Sequence, residues 1–247
     1  MRPFLFSKTD DRPCLLTSLL RQVMLMQNHH QTELTIMKGF ILSLFLLISL
    51  DAFAKKAASC PLEKVNLRVG DIVFIEATNY VFQRVSVAQG GWMNHAGIVV
   101  REKGELVVAE STIPWVRTAS LCKFNNKSKD QRFEVKRVYR ELMMSEEKGL
   151  YLLAKDMKRT LYDLGFDFTS NRMYCSKFVR YLVKEIMGVE LGTRQKLEEL
   201  YKDQDDSEIT FWTVWYGGKI PWERITVTPK SLYDDSQLEV VASYPIK

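Results

Sequence analysis

From residue 67 to about residue 140, apolar side chains fall into the short runs and two-residue alternation that are typical of β-strands. LRVGDIVFIEA, residues 67–77, places a Gly-Asp pair before an apolar run. AGIVVRE and ELVVAES then flank Lys103 and Gly104, and turn residues between two apolar runs predict a β-hairpin. RFEVKRVYR, from Arg132, alternates as another strand. This half of the chain therefore predicts an antiparallel sheet.

The apolar spacing becomes helical after residue 145. SEEKGLYLLAKDMKRTLYDLG predicts a helix with Ser145 as N-cap and Gly165 as its stop. Its apolar positions are Leu150, Leu153, Met157, Leu161 and Leu164. A second amphipathic pattern predicts a helix over residues 175–187, followed by Gly188 as the C′ residue.

The tail mixes both patterns. A short charged helix is predicted over residues 196–202, and strands are predicted at RITVTP and LEVVAS. No repeat or low-complexity linker interrupts the sequence. We therefore predict one α+β domain over residues 55–247, with an antiparallel sheet packed against helices.

The N-terminal part has a different character. Residues 1–36 show no clear period, and we interpret them as a non-native or unstructured extension, or as a long n-region. From Met37, a lysine, an apolar run too short to span a bilayer, and Ala52 and Ala54 at positions −3 and −1 form the layout of a secretory signal peptide. Lipid attachment at Cys60 is the weaker alternative.

The predicted signal peptide covers residues 37–54, with cleavage after Ala54. The mature domain is therefore expected in the periplasm or outside the cell, and peripheral association with the envelope is a further expectation. The chain has 35 basic and 30 acidic residues, too even a balance to indicate a nucleic-acid partner. A hydrophobic fraction of 46% is ordinary for a globular domain.

Three cysteines follow the predicted cleavage site: Cys60, Cys122 and Cys175. Because three is odd, at least one thiol is expected to be unpaired. A Cys60–Cys122 disulfide is compatible with an oxidising compartment, but the spacing does not determine it. The sequence has no paired CxxC or histidine-rich spacing, so we predict no metal ligands and no cofactor.

Cys175 is the first candidate for chemistry. It follows the polar stretch DFTSNRMY and begins the second predicted helix. A helix N-terminus stabilises a thiolate, which is the nucleophilic form of cysteine. The alternative is a structural cysteine that packs as a small hydrophobic residue.

His95 is the one histidine after the predicted cleavage site, so any mechanism that pairs cysteine with histidine must use it. It begins an apolar strand, and two roles fit this position. One is a base for a thiol, and the other is a hydrogen bond that caps the strand. Pairing about Lys103 and Gly104 brings residues 95–97 opposite residues 110–112. Glu110 is therefore expected beside His95, as an orienting carboxylate or as an ordinary strand-end residue.

Together these segments resemble a known family. GDIVF, NHAGIVV, VVAES and YDLGFDFTSNRMYCSKFV, with the closing segment TVTPKSLYDDSQLEVV, are similar to permuted papain-fold cysteine amidases of the YaeF/YiiX kind, relatives of NlpC-type cell-wall hydrolases. The resemblance implies a circularly permuted papain-like fold, Cys175 as nucleophile, His95 as general base and acid, and Glu110 as the orienting residue. Asn94 stands where relatives often have serine.

Other residues are candidates for binding. The backbone N–H of Cys175 and the side chain of Tyr174 are candidate oxyanion donors. Trp92 and Asp167 are candidate substrate-binding residues, and Asp163 and Asp167 are expected to shape the loop before Cys175. Arg84 and Gln89, which precede His95, are further candidates for the border of the substrate cleft. An aromatic segment near the C-terminus is expected to form either a wall of this cleft or a satellite core. That segment contains Phe211, Trp212, Trp215, Tyr216 and Trp222.

Three functions fit these residues. The first is an exported cysteine hydrolase that cleaves an amide in a peptide, a peptidoglycan fragment or an acyl-amide through a thioester. The second is a thiol acyltransferase or lipid deacylase that uses the same triad. The third is a non-catalytic envelope binding module that has kept the fold.

Overall fold

The computed structural model describes residues 59–245. The predicted N-terminal extension, signal peptide and cleavage site lie outside this range. Within it, no helix combines the length and the apolar character needed to cross a bilayer.

A six-stranded sheet forms the centre of the domain. Its strands are β1 (Ile72–Ala77), β2 (His95–Glu102), β3 (Glu105–Ser111), β4 (Val116–Ser120), β5 (Ser128–Val138) and β8 (Leu238–Tyr244). Their order is β4-β3-β2-β1-β5-β8, and every neighbouring pair is antiparallel. The predicted antiparallel sheet is therefore confirmed.

β2 and β3 form the hairpin that the sequence predicts. Their pairing extends from Glu102↔Glu105 to Ile98↔Ala109, so Glu110 lies one residue beyond the last pair. β2 is apolar because both of its faces are covered: its first six residues are buried. The close packing of this strand depends on Gly97, where a Cβ would meet side-chain atoms of Val108 and Phe124.

Helices cover the sheet and its ends. They are α1 (Tyr80–Gln89), α2 (Leu121–Asn125), α3 (Met144–Asp156), α4 (Cys175–Met187), α5 (Leu197–Tyr201), α6 (Asp206–Trp215) and α7 (Pro229–Tyr233). α4 has the bounds that its apolar stripe predicts, and Gly188 ends it with a left-handed φ of 68°. Because glycine lacks a Cβ, it adopts this conformation without steric cost.

The prediction for the helix before it was wrong at both ends: α3 begins at Met144 with Met143 as its N-cap, so Ser145 lies inside the helix. α3 ends at Asp156 instead of Gly165, and Arg159 has a φ of 72° that no helix allows. The following backbone is used by β4: the Arg159 N–H donates to the Val116 carbonyl at 3.1 Å, and the Val116 N–H donates to Thr160. Leu161 and Leu164 are consequently 50% and 42% exposed, despite their helical spacing.

The tail folds as predicted in outline. β6 (Arg194–Lys196) pairs with β7 (Ile225–Val227), the predicted charged helix is α5, and LEVVAS forms most of β8. At the other end, a short 3₁₀ helix at Pro61–Lys64 is joined to α2 by a disulfide between Cys60 and Cys122. Cys175 is the free cysteine of the described residues.

Candidate active site

Three polar side chains meet where the first turn of α4 packs on the sheet. His95 begins β2, Glu110 is near the end of β3, and Cys175 is the first residue of α4. The antiparallel hairpin brings the first two together, and α4 packs against both strands. The side chains of His95 and Glu110 are fully buried and Cys175 is 3% exposed, so the cluster lies in a low-dielectric environment.

The imidazole of His95 is fixed by a hydrogen bond at one ring nitrogen and by aromatic stacking on the ring. Its Nε2 lies 2.7 Å from Glu110 Oε2. The rings of Phe82 and Phe124 stack on it, with centroid distances of 5.2 and 5.6 Å. The second ring nitrogen, Nδ1, is buried and has no hydrogen-bond partner among the described residues. This nitrogen is therefore the one available for proton exchange.

The Cys175 thiol interacts with this imidazole. Burial alone would raise the pKa of Cys175, but His95 and the backbone N–H groups of Ala96 and Ser176 lower it below its ordinary value. In the same way, burial opposes the charged form of His95, while Cys175 and Glu110 raise the pKa of the imidazole. A thiolate–imidazolium pair is thus favoured by each partner.

Glu110 is the anionic anchor of the cluster. Burial opposes its ionisation, but His95 and Lys127 bring the pKa of the carboxyl down to about 2. Arg117 Nε also lies 3.2 Å from Glu110 Oε1. The carboxylate is therefore charged at neutral pH, and it stabilises the imidazole tautomer that carries its proton on Nε2.

Asn94 and Gln89 hold the backbone that precedes His95. The Asn94 side chain accepts from the Ala77 N–H at 2.7 Å and donates to the Ala77 carbonyl at 3.1 Å. The Gln89 amide donates to the Met93 carbonyl and accepts from the N–H of Lys230 at 3.1 Å. Asn94 thus fixes the start of β2 against β1, which explains how an amide is accommodated beside the histidine.

A small, largely apolar cavity of about 30 Å³ lies beside Cys175. Its walls include Val85, Phe166, Leu197 and Val227. Tyr162 also lines the cavity, and its hydroxyl interacts with the Cys175 thiol. The pKa of Tyr162 lies well above its ordinary value, mainly because the side chain is buried, and the thiol raises it further.

Sequence reasoning missed Tyr162. The helical spacing assigned it to the last turns of α3, whereas the chain there is extended: Leu161 bridges to Trp115, and Tyr162 bridges to Met173. The sequence signal for Tyr162 is the Tyr-Asp pair that precedes Gly165, in the segment that leads to Cys175.

Tyr174 occupies the floor of the same cavity. Its hydroxyl accepts from the Val227 N–H at 3.0 Å and lies 3.1 Å from the Thr226 hydroxyl. Burial raises the pKa of this phenol well above its ordinary value, so the group stays neutral at physiological pH. These contacts direct the hydroxyl to β7; the oxyanion role stays a prediction.

The loop between residues 163 and 174 is shaped by Asp163. Its carboxylate accepts from the backbone N–H of Gly165 at 2.8 Å, from the N–H of Asp167 at 3.1 Å and from the Ser170 hydroxyl at 2.5 Å. Asp167 in turn accepts from the Thr169 N–H at 2.8 Å. Asp163 is therefore a loop-forming residue as expected, and a substrate contact by Asp167 stays a prediction.

Trp92 is not brought to the Cys175 cavity. Its ring lies against Tyr233, and the guanidinium of Arg132 stacks over it at 4.0 Å. It lines a separate groove together with residues of β5 and of the C-terminal end of β8. A substrate contact by Trp92 therefore stays a prediction, and it would be made in a groove other than the Cys175 cavity.

The aromatic segment forms a satellite core. Trp212 is fully buried and stacks on Tyr201 with centroids 4.9 Å apart. Phe211, Trp215 and Tyr216 surround it. Arg84 from α1 binds Glu208 and the hydroxyl of Tyr80, and its guanidinium lies over the Phe211 ring. Of the two alternatives, packing is the one that the contacts support.

One group of possible metal ligands occurs in the described part of the chain. The side chains of Cys60, Glu63 and Cys122 offer ligand atoms within 4.8 Å of one another. The two sulfurs are joined in the disulfide, and thiolate is the form of cysteine that binds metal ions. This donor set therefore does not fit a metal ion.

Comparison with known proteins agrees with the geometry. Residues 66–242 match the family described as permuted papain-like amidase enzyme, YaeF/YiiX, C92 family. The chain is 28% identical over 206 residues to "Uncharacterized protein YiiX" of Escherichia coli strain K12, covering 83% of this chain and 96% of that protein. A solved structure described as "metalloprotein yiiX from Escherichia coli O157:H7" superposes with a TM-score of 0.67 at 26% identity, over 71% of this chain and 97% of that one.

Proposed function

The chain belongs to the permuted papain-like amidases of the YaeF/YiiX kind, as its motifs predicted, and we propose that it is an exported hydrolase that cleaves an amide bond through a thioester at Cys175. The family is one of papain-like cysteine amidases and peptidases, and the α+β fold is a permuted papain-like fold. The observation that carries the proposal is the buried cluster of a thiol with a lowered pKa, an imidazole and a carboxylate.

In the proposed reaction, His95 holds the proton of Cys175 on Nδ1, and the thiolate sulfur attacks the amide carbon. The tetrahedral intermediate collapses when the imidazolium donates that proton to the leaving amine. Water, deprotonated by the same imidazole, then attacks the thioester. The C–S bond breaks, the acid leaves, and the sulfur departs as the thiolate that pairs with the imidazolium. Glu110 holds the ring through Nε2 in both halves, so that Nδ1 faces the reacting atoms.

The developing oxyanion needs donors at the first turn of α4. The Ser176 N–H already contacts the Cys175 sulfur, and the Cys175 N–H opens the same helix. The Tyr162 hydroxyl interacts with the same sulfur from the cavity side and stays protonated because of its raised pKa. We expect Tyr162→Phe to lower kcat by about tenfold to a hundredfold with little change in KM. The exposed Tyr139→Phe is the matched control, expected to match the wild type.

The substrate proposed first is a peptide, a peptidoglycan fragment or another acyl-amide. The apolar side chains beside the thiol favour the second candidate, transfer or hydrolysis of an apolar acyl group, because they stabilise an apolar group next to the thioester. Mass spectrometry of the products, with amines or lipids added as acceptors, distinguishes hydrolysis from transfer.

The relative described as a metalloprotein raises the question of a metal ion in this chain. The donor set of Cys60, Glu63 and Cys122 does not fit one while the two sulfurs are bonded to each other.

The test combines labelling and turnover. The purified protein is incubated with a panel of peptide, muropeptide and acyl-amide substrates and with a thiol-directed acyl probe. We expect one modified cysteine, Cys175, and loss of turnover in Cys175→Ala. Full activity in Cys175→Ala would refute the proposal. Specific glycan or peptide binding, with neither labelling nor turnover, would favour the binding-module alternative.

Export is proposed from the signal-like segment alone. N-terminal sequencing of the protein recovered from a periplasmic fraction is expected to begin at Lys55. A lipid-modified Cys60 at the N-terminus would instead establish the lipoprotein alternative.

A further inference from the structure

The two oxygens of the Glu110 carboxylate have different partners, an imidazole on one and two cations on the other. Oε2 meets His95 Nε2 at 2.7 Å. Oε1 accepts from Arg117 Nε at 3.2 Å and from the ammonium of Lys127. The Glu110 side chain is fully buried, while Arg117 and Lys127 are 36% and 23% exposed. One buried negative charge therefore faces two cations that reach it from the surface.

Both cations are held in place by the fold. Arg117 on β4 is the direct cross-strand partner of Glu110 on β3. Lys127 follows α2, and its ammonium lies 5.1 Å from the centroid of the Phe124 ring, which in turn stacks on His95. The same elements thus position the imidazole, its carboxylate and the two cations.

We propose that Lys127 and Arg117 are positioning residues that draw the Glu110 charge toward Oε1 and so weaken its hold on the protonated imidazole of His95. The inference rests on the proposed function. Protonated His95 would place three positive charges around one carboxylate, and like charges disfavour the protonated form. A more acidic imidazolium releases its proton to the leaving amine more readily, which is the step that frees the first product.

The other ionisable groups near the cluster lie on different sides. The Cys175 thiol faces the imidazole, and the Tyr162 hydroxyl faces that thiol. Lys123 on α2 repels Lys127 without a hydrogen bond or ion pair to Glu110. Among residues 59–245, the ion pairs of Glu110 are with His95, Arg117 and Lys127. Changing one cation therefore tests its effect on this carboxylate directly.

The experiment uses Lys127→Gln and Arg117→Gln in the full chain. Glutamine keeps a donor for Oε1 but removes the charge. The pH dependence of Cys175 alkylation by iodoacetamide is measured by mass spectrometry of the peptide that contains Cys175, beside the pH dependence of kcat/KM. We expect the alkaline limb of the kcat/KM profile, which reports loss of the imidazolium proton, to move up by about one pH unit in each variant.

Controls separate charge from structure. Lys127→Arg restores the charge and is expected to restore the wild-type limb. Lys129→Gln, which removes a cation 3.9 Å from Glu76, is expected to leave it unchanged. Burial lowers the pKa of Lys127. Arg117→Gln, on the edge strand β4, is therefore the independent check.

The outcomes are distinct. Folded glutamine variants that lose stability but keep the wild-type alkaline limb would overturn the inference, because the cations would then be structural only. Failure of Lys127→Gln to fold leaves the decision to Arg117→Gln. A wild-type protein with neither a reactive Cys175 thiolate nor amide turnover would refute the proposed function instead.

Discussion

Replacing Glu110 with glutamine changes one charge and almost no volume, so it tests the electrostatics of the site. The amide has one acceptor oxygen, whereas the carboxylate serves His95 on one oxygen and Arg117 and Lys127 on the other. If the amide oxygen faces His95, its NH₂ group faces two cationic donors. If the amide turns over, its NH₂ donates to Nε2 and forces the imidazole proton onto Nδ1.

The magnitude follows from these two arrangements. In the second, the nitrogen that should accept the thiol proton already carries one, and a wrong tautomer of this kind lowers kcat by about 10⁴-fold in a serine protease. In the first, the imidazolium loses its counter-charge. We therefore expect kcat/KM to fall by about 10²- to 10⁴-fold, which corresponds to about 3 to 5 kcal/mol of transition-state stabilisation. Unfolding stability at neutral pH is expected to fall by about 3 kcal/mol, because the buried carboxylate that pairs with His95 and the two cations is lost.

The assay is the pH dependence of kcat/KM on an amide substrate, together with urea unfolding of the same samples. Glu105→Gln, at the exposed start of β3, is the matched control and is expected to resemble the wild type. A Glu110→Gln protein that retains activity within about fivefold of the wild type, while His95→Ala is inactive, would refute the orienting role that we assign to Glu110.

Three further outcomes follow from the packing and charges around the site. Gly97→Ala is expected to lower stability by about 1–3 kcal/mol, because its Cβ would overlap Val108; chemical denaturation checks this, and wild-type stability would contradict it. Asp71→Asn is expected to cost about 3 kcal/mol, since the buried carboxylate accepts two bonds from Arg137 at 2.6 and 2.9 Å; a thermal melt equal to the wild type would count against it. The pKa of Glu110 falls from 4.5 to about 2 on folding, so its contribution of about 3 kcal/mol is present above pH 4.5 and is lost as the pH falls toward 2; acid titration of wild type and Glu110→Gln measures the difference, and identical profiles would exclude it.

Local patterns predicted the elements that carry the proposed triad. The hairpin around Lys103 and Gly104 and the helix at Cys175–Met187 follow from turn residues and from one continuous apolar stripe, and both depend on neighbours in sequence. Because the hairpin register was predictable, so was the proximity of His95 and Glu110. The meeting with Cys175 required the family resemblance, since no local rule relates residues so far apart in the chain.

The parts that sequence did not predict depend on contacts distant in sequence. Arg117 reaches Glu110 because β4 pairs with β3, and Lys127 reaches it from the connection between α2 and β5. Tyr162 was assigned to a helix because leucines recur around it at helical spacing. Tertiary contacts of β4 with residues 159–162 override that spacing, and so move the tyrosine into the cavity.

The disulfide gives the site a dependence on how the protein is produced. Cys122 lies two residues before Phe124, whose ring packs on the catalytic candidate His95. Protein made in a reducing cytosol would carry two separate thiols at this position. The helix α2, which holds Phe124 against the imidazole, would then no longer be bonded covalently to the 3₁₀ helix. We expect such preparations to show lower specific activity than oxidised ones. Activity assays should therefore use protein in which the Cys60–Cys122 disulfide has formed.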